Sequence, residues 1–414
     1  MSGDPENPPT PLQWRLECLG HSLIEAVVGC LPGPLVFRMG EALGGLAWHF
    51  FPLRRKIILR NLRIAFAGEK ELPELRQMAR DTFCRTGANL ISAARTAQLP
   101  AARLGEVIHV ENIELLEQSL AGGKGVVLLL SHMGNWEILS RLVHFFPKGS
   151  KAGAFYRPLN NRLLDKRVLD RRQADGTRMF SKGDNPLHVA GFLREGGIVG
   201  ILADQRVGHQ GELVEFFGRI TRASPLPSLL ARRSKSTVLA LSVTTESPGK
   251  WKAVFMPVAP PPTTPNCMVV LEHAMKAGPV DVFWFQERWK IYTRKGRTIR
   301  DWMGPGSQCG SKPHRALIWL AGVAETWRLP EDWTHPDVVN EVALTSGAPR
   351  PSWLPETTRV HEVPASTDRD TLQKHIAAID QSTVLPLDYI LAPGASKALV
   401  KAGHREAITV IPLP

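Results

Sequence analysis

Residues 125–142 read GVVLLLSHMGNWEILSRL. Six residues of unbroken strand-like, apolar sequence end at Ser131 and His132. A glycine and an amide follow, Gly134 and Asn135, and a helical pattern opens at Trp136 or just before. A short apolar run closed by turn residues is the pattern of a strand buried on both faces. Comparable runs recur between residues 106 and 258, alternating with helical stretches: KAGAFYRP, TRMFSK, GGIVGILAD, STVLALSV and WKAVFMPV. Strands buried on both sides and separated by helices predict an α/β fold with a mostly parallel central sheet flanked by helices.

The sequence on either side divides around this core. Residues 12–105 read as a helical N-terminal region, and residues 106–300 as the α/β core. Within the core, PVAPPPTTP at 257–265 is a proline-rich loop, and a helical stretch ending in VFWFQERWK follows it. DWMGPGSQCGSKPH, 301–314, has the glycine, serine and proline content of a linker. Residues 315–414 form a small C-terminal α/β domain, with strands in RALIWLAG, NEVALTSG, TRVHEV, LDYILAPG and EAITVIPLP and a helix over RDTLQKHIAAID.

Of 414 residues, 43% are hydrophobic and 22% charged, an ordinary balance for a chain long enough to build a sizeable core. The formal net charge of +12 implies attraction to an anionic surface or partner. Five scattered cysteines without a CxxC pair point away from a disulfide framework or zinc site and towards a reducing compartment. The start, MSGDPENPPTP, is polar and proline-rich where the basic region of a secretory signal would be expected, and does not read as one. LIEAVVGCLPGPLVF is interrupted by Glu25, Pro32 and Pro34, short of the ~20 clean residues a membrane span needs. Val36, Met39, Leu43, Leu46, Ala47 and Phe50 nevertheless recur at helical spacing, and the basic run LRRKIILRNLR follows them. Such a segment suits a helix lying in a membrane interface, and equally a helix packed on its own core.

A histidine followed five positions later by an acid is a weak pattern, for which chance supplies about one match in a chain of this composition. Three occur: His109 with Glu114, His132 with Glu137, and His375 with Asp380. His109 precedes what reads as the solvated start of a helix. His375 lies inside an amphipathic helix, where a five-residue step turns the two side chains about 140° apart. His132 differs because it ends a buried strand at a turn into a helix, the place where open α/β sheets bind ligands.

GKGVVLLLSHMGNWE resembles the core motif of the late acyltransferases of lipid A biosynthesis and their relatives, the bacterial phosphatidylinositol mannoside acyltransferases. RNLRIAF, YRPLNN, GGIVGILADQRVG, VEFFGR and FWFQERWK match further blocks of that family in order, across roughly residues 12–300. The resemblance implies a glycerolipid acyltransferase-like fold. It also implies transfer of a fatty acyl group from a thioester, usually on acyl carrier protein, to a hydroxyl of a glycolipid. His132 would be the base and transfer would be direct, with no metal or cofactor required. Glu137 is the favoured partner of His132, and Asp204, at the end of another strand, is the alternative. Arg157 ends a third strand; the second acid would fix it for the thioester oxyanion or an acceptor phosphate. Asn135, Gln205 and Arg206 are candidate substrate contacts, with Asn135 either donating to the oxyanion or only shaping the turn. Arg162 and Lys166 on the helix NNRLLDKRVLDRR are candidates too, for a lipid phosphate or acidic carrier protein, against the plain reading of a solvated face.

The implied partners are acyl carrier protein, a glycolipid acceptor and an anionic membrane surface, at the cytoplasmic face of a bacterial inner membrane. Gln286 and Glu287 stand where relatives usually carry histidine and arginine. The tail beyond residue 312 lies outside the pattern and faintly resembles half of a heptosyltransferase-type glycosyltransferase. Rival readings are acylation of another glycolipid or phospholipid, or a catalytically silent protein binding anionic membrane or nucleic acid. The chain has no recognised nucleic-acid module.

Overall fold

The computed structural model describes residues 11–181, 183–208, 210–290, 298–304, 309–323, 326–366 and 368–414. Among the described residues four α-helices precede the first strand: α1 (Pro11–Gly29), α2 (Gly33–Phe50), α3 (Pro52–Ala65) and α4 (Leu72–Thr96). Pro32 separates α1 from α2, and Pro34 and Pro52 lie in the first turns of α2 and α3, as residues without an amide hydrogen do at helix starts. Glycines let α2 approach α4 closely. A Cβ at Gly44 would lie 2.3 Å from the Phe83 carbonyl oxygen, and one at Gly87 would lie 2.4 Å from that of Gly40.

The core then alternates as expected. In chain order it contains β1 (Ile108–Glu111), α5 (Glu114–Ala121), β2 (Val126–Leu130), β3 (Ala152–Tyr156), α6 (Arg162–Gln173), β4 (Arg178–Ser181), α7 (Pro186–Arg194) and β5 (Ile198–Leu202). A two-stranded element, β6 (Glu212–Phe216) and β7 (Arg219–Ala223), precedes α8 (Leu226–Ser234), β8 (Thr237–Ser247), β9 (Lys250–Pro257) and α9 (Thr264–Lys276). Seven strands form one sheet in the order β1-β9-β8-β2-β5-β3-β4. β8 and β9 pair antiparallel, and the other neighbours pair parallel. All five residues of β2 are buried, which accounts for its uninterrupted apolar sequence.

His109 lies in β1, and the helix expected after it begins at Glu114. One local expectation changes. The helical stretch expected to reach VFWFQERWK stops at Lys276, where Gly278 and Pro279 follow; Met133 and Val282 instead form an isolated antiparallel bridge.

The tail contains α10 (Ile299–Met303), β10 (His314–Trp319), β11 (Val338–Thr345), β12 (Val360–Val363), α11 (Arg369–Asp380), β13 (Tyr389–Pro393), α12 (Lys397–Arg405) and β14 (Thr409–Leu413). Its five strands are all parallel, in the order β12-β11-β10-β13-β14. Leu317 and Trp319 of β10 join one apolar cluster with Leu372, Ile376 and Leu399 of the helices, whereas Ala316 and Ile318 join another with Trp302, Trp333 and Tyr389. That alternation is the two-residue period of a strand covered on both faces.

Contacts group the chain into two units. Residues 1–48, 81–205 and 223–283 form one, which holds the seven-stranded sheet; residues 49–80, 206–222 and 284–414 form the other. Of the anticipated linker, residues 305–308 lie outside the described residues, as do 291–297 near the end of the anticipated core and 1–10 of the polar start. Among the described residues no helix is long and apolar enough to cross a membrane.

Candidate active site

β2 and β5 run parallel, with Leu130 opposite Leu202. His132 lies two residues past the first strand and Asp204 two past the second. Equal offsets on parallel neighbours share a face, so the two side chains meet. His132 Nδ1 is 2.9 Å from Asp204 Oδ1, with the histidine side chain 18% exposed and the aspartate 6%. Because a carboxylate only accepts, Nδ1 carries the proton and Nε2 presents its lone pair. Gln205 Nε2 lies 3.3 Å from both ring nitrogens. Trp136 meets the imidazole edge-on at 5.6 Å, and Phe283 packs at 6.5 Å. Burial alone would lower the His132 pKa. The charge and hydrogen bond of Asp204, supported by the charge of Glu137 and opposed by Arg172, outweigh burial and raise it.

Glu137 has a different partner from the one favoured by sequence. It begins a 3-10 helix, Trp136–Phe145, and its carboxylate grips Arg172 in the last turn of α6. Arg172 Nη2 is 2.6 Å from Oε1 and 2.9 Å from Oε2, and Nε is 3.1 Å from Oε2. Asp204 therefore orients the histidine, while Glu137 acts on it through space. The pair also borders a cavity of about 270 Å³, whose lining combines aliphatic side chains, including Leu90, Ile138 and Val168, with the polar groups of His21, Glu25, Ser140, Arg141 and Arg171.

The family model for bacterial lipid A biosynthesis acyltransferases matches residues 15–291. The chain belongs to that family. It is 26% identical over 290 residues to the lipid A biosynthesis lauroyltransferase of Escherichia coli K12, covering 68% of this chain and 92% of the relative. The palmitoleoyltransferase of the same organism is 22% identical over 269 residues, 63% of this chain and 86% of the relative. The phosphatidylinositol mannoside acyltransferase of Mycolicibacterium smegmatis is 30% identical over 156 residues, 35% of this chain and 50% of the relative. The protein is an acyltransferase.

The acyltransferase places its remaining candidates less uniformly. Arg157, one residue past β3, is exposed and makes no hydrogen bond or ion pair with the described residues. The anticipated carboxylate–Arg157 pair is therefore absent, since Arg172 occupies Glu137 and His132 occupies Asp204. Asn135 is buried, and its amide nitrogen donates to Thr96 Oγ1 at 2.9 Å; Oδ1 has no partner among the described residues. That bond directs the amide nitrogen towards Thr96, at the end of α4. Arg162 opens α6 and is exposed. Lys166 is exposed and pairs with Asp170 at 2.8 Å, a solvated helix face. Arg206, in the second unit, is half-buried and donates to the Lys290 carbonyl at 3.4 Å; burial lowers its pKa, partly offset by Glu287.

Arg172 is the residue that sequence reasoning passed over. It lay inside a basic run on α6 and read as one of several surface arginines. In the structure the run is divided between partners: Arg172 holds Glu137, while Arg167 and Arg171 hold the buried Glu25 of α1.

Proposed function

We propose that this acyltransferase moves a fatty acyl group from a thioester on acyl carrier protein to a hydroxyl of a lipid A precursor, with His132 as general base. The observation that carries the reading is the imidazole held by Asp204 at the carboxyl edge of a buried parallel sheet. A hydroxyl is a poor nucleophile near neutral pH and needs its proton removed as it attacks. His132 Nε2 takes that proton while the hydroxyl oxygen bonds to the thioester carbonyl carbon. The tetrahedral intermediate collapses with loss of the C–S bond, and the imidazolium returns its proton to the departing thiolate. Asp204 keeps Nδ1 protonated and stabilises the cation in between. We assign the acyl chain to the aliphatic side of the cavity beside Glu137, and the acceptor phosphates to exposed Arg157 and Arg162.

We assign the chain to the cytoplasmic face of the inner membrane, held peripherally. Leu12, Leu16, Leu19 and Leu23 of α1 are each 58–66% exposed and recur at helical spacing. Leu35, Met39, Leu43 and Leu46 repeat the pattern on α2. Stripes of this kind, in a protein of net charge +12, suit an anionic lipid interface.

The test is acyl transfer from acyl carrier protein to a lipid A precursor, read by mass spectrometry. His132→Ala should remove transfer and leave vesicle binding intact. Wild-type turnover by that variant would sink the base assignment. Acylation of a phospholipid or mannoside in place of the lipid A precursor would overturn the acceptor alone.

A further inference from the structure

The loop that carries His132 is held from the side by residues 281–283. The amide of Phe283 donates to the His132 carbonyl at 2.8 Å, and the amide of Gly134 donates to the Asp281 carbonyl at 2.9 Å. Met133 and Val282 form an antiparallel bridge between these bonds. Three consecutive residues of the histidine loop are thus paired with three of the strap. The strap also supplies the Phe283 ring, which packs on His132 and, at 5.5 Å, on Trp136. Gly134 permits the closeness. Its φ is +56°, and a Cβ there would lie 2.4 Å from the Val243 carbonyl oxygen.

A strap of three residues has no regular structure of its own to fix it. One side chain anchors it to elements beyond the histidine loop. Asp281 is 6% exposed and its carboxylate gathers donors from two other elements. Oδ2 accepts from the Thr245 amide at 2.9 Å, and Oδ1 accepts from Thr245 Oγ1 at 2.6 Å, both on β8. Oδ1 also accepts from Asn89 Nδ2 on α4 at 3.2 Å, with the Arg85 guanidinium at 3.5 Å. Asn89 is held in turn by the Trp251 indole N–H at 2.8 Å, on β9. The donor set demands an acceptor with two oxygens and no hydrogens, which is an ionised carboxylate.

We propose that Asp281 is a positioning residue for acyl transfer, acting through the 281–283 strap to fix the backbone from which His132 projects. This rests on the reading of His132 as the base. Asp204 constrains the ring from Nδ1, but a hydrogen bond at one ring atom leaves the ring free to follow any displacement of its backbone. Asp281 removes that freedom by tying the loop to β8 and α4. A displacement of about 1 Å at a reacting group costs on the order of 10²-fold in rate.

The variant Asp281→Asn is nearly isosteric and replaces one acceptor oxygen with a donor amide facing other donors. It should lower kcat by about 10- to 100-fold at unchanged KM for the acyl carrier protein thioester, assayed well below its melting temperature. The His132 imidazole resonances of the folded variant should also shift from their wild-type positions. Thr245→Val removes a single donor and should lower kcat several-fold, which keeps the test available if Asp281→Asn does not fold. Wild-type kcat in folded Asp281→Asn, or in Thr245→Val if the first variant is unfolded, overturns the proposal. So do unmoved His132 resonances, because lost activity would then reflect only lost folded protein. The resonances report the positioning whether or not lipid A is the acceptor, so failure of that assignment is seen separately.

Discussion

Asp204 Oδ1 lies 2.9 Å from His132 Nδ1, and the other near neighbour, Gln205, offers an amide nitrogen to the ring. The charged groups acting on the imidazole are Asp204 and Glu137, which raise its pKa, and Arg172, which lowers it. A base must be unprotonated to act, so a raised pKa moves the acid limb of kcat/KM above the ordinary imidazole value of about 6.5. Asp204→Asn removes the strongest of the raising influences and leaves burial, which lowers. The acid limb should therefore move to lower pH while the maximal rate falls by on the order of 10³- to 10⁴-fold, through loss of the correct tautomer. A pH–rate profile of the variant measures both. An acid limb that stays in place, or a rate within ten-fold of wild type, would assign the orienting role to another group. Arg172→Met works in the opposite sense on the imidazole but also frees Glu137, so Asp204→Asn is the cleaner substitution.

Elements decide how much of this was legible in sequence. The strands β2 and β5 were readable because burial on both faces leaves an uninterrupted apolar run, and both end before a polar side chain at the same offset. That shared offset was the available sign that His132 and Asp204 meet. The pairing of His132 with Glu137 followed distance along the chain instead, and the 3-10 turn at Trp136 carries that carboxylate to α6. Arg172 was hidden for a related reason. A basic run does not show which members face inward, because their partners lie about 35 and 146 positions away. Glu25 is the clearest case. It interrupted an apolar stretch and counted against a membrane span, yet its side chain is 4% exposed, beside His21 at 3.2 Å and between Arg167 at 2.7 Å and Arg171. Asn161, which caps α6, donates to Glu17 at 2.7 Å and to the Trp14 carbonyl at 3.1 Å. α1 is thereby fastened to the helix that supplies Arg172. Glu25→Ala should loosen it at a cost of about 2 kcal/mol, less than for a fully buried pair because both arginines are partly exposed. Hydrogen exchange in α1 should rise accordingly. Unchanged exchange there would show that the apolar contacts of α1 suffice to hold it.

At the scale of the whole molecule, the 100-residue tail poses the largest question, since the family match ends at residue 291. Its composition suggested a small domain, and the contact unit that contains its five-stranded sheet also takes in residues 49–80 and 206–222 of the matched region. Two buried arginines explain why. Arg63 of α3 is 3% exposed and donates to the carbonyls of Asp380, Thr383 and Val384 at 2.6, 3.0 and 2.8 Å, and to the Asp380 carboxylate. Arg219 of β7 is fully buried, with Asp388 oxygens at 3.0 and 3.1 Å and the Lys312 and Pro313 carbonyls at 3.2 and 2.8 Å. Every one of these acceptors lies beyond residue 311, so the tail solvates cations that belong to family-matched sequence. Burial would raise the Asp388 pKa, but the charges of Arg219 and His314 hold it far below the usual carboxylate range. A depressed folded pKa contributes stability that is present above the unfolded value of about 3.9 and is lost as pH falls towards the folded one. Asp388→Leu leaves a buried guanidinium without its counter-ion and should cost on the order of 3–5 kcal/mol in urea unfolding. The double variant Arg219→Met with Asp388→Leu removes both charges and should recover most of that loss, with a weaker dependence on acid between about pH 4 and pH 2. A double variant no more stable than Asp388→Leu alone would mean that the carbonyl ligands of Arg219, and not its ion pair, tie the tail to β7.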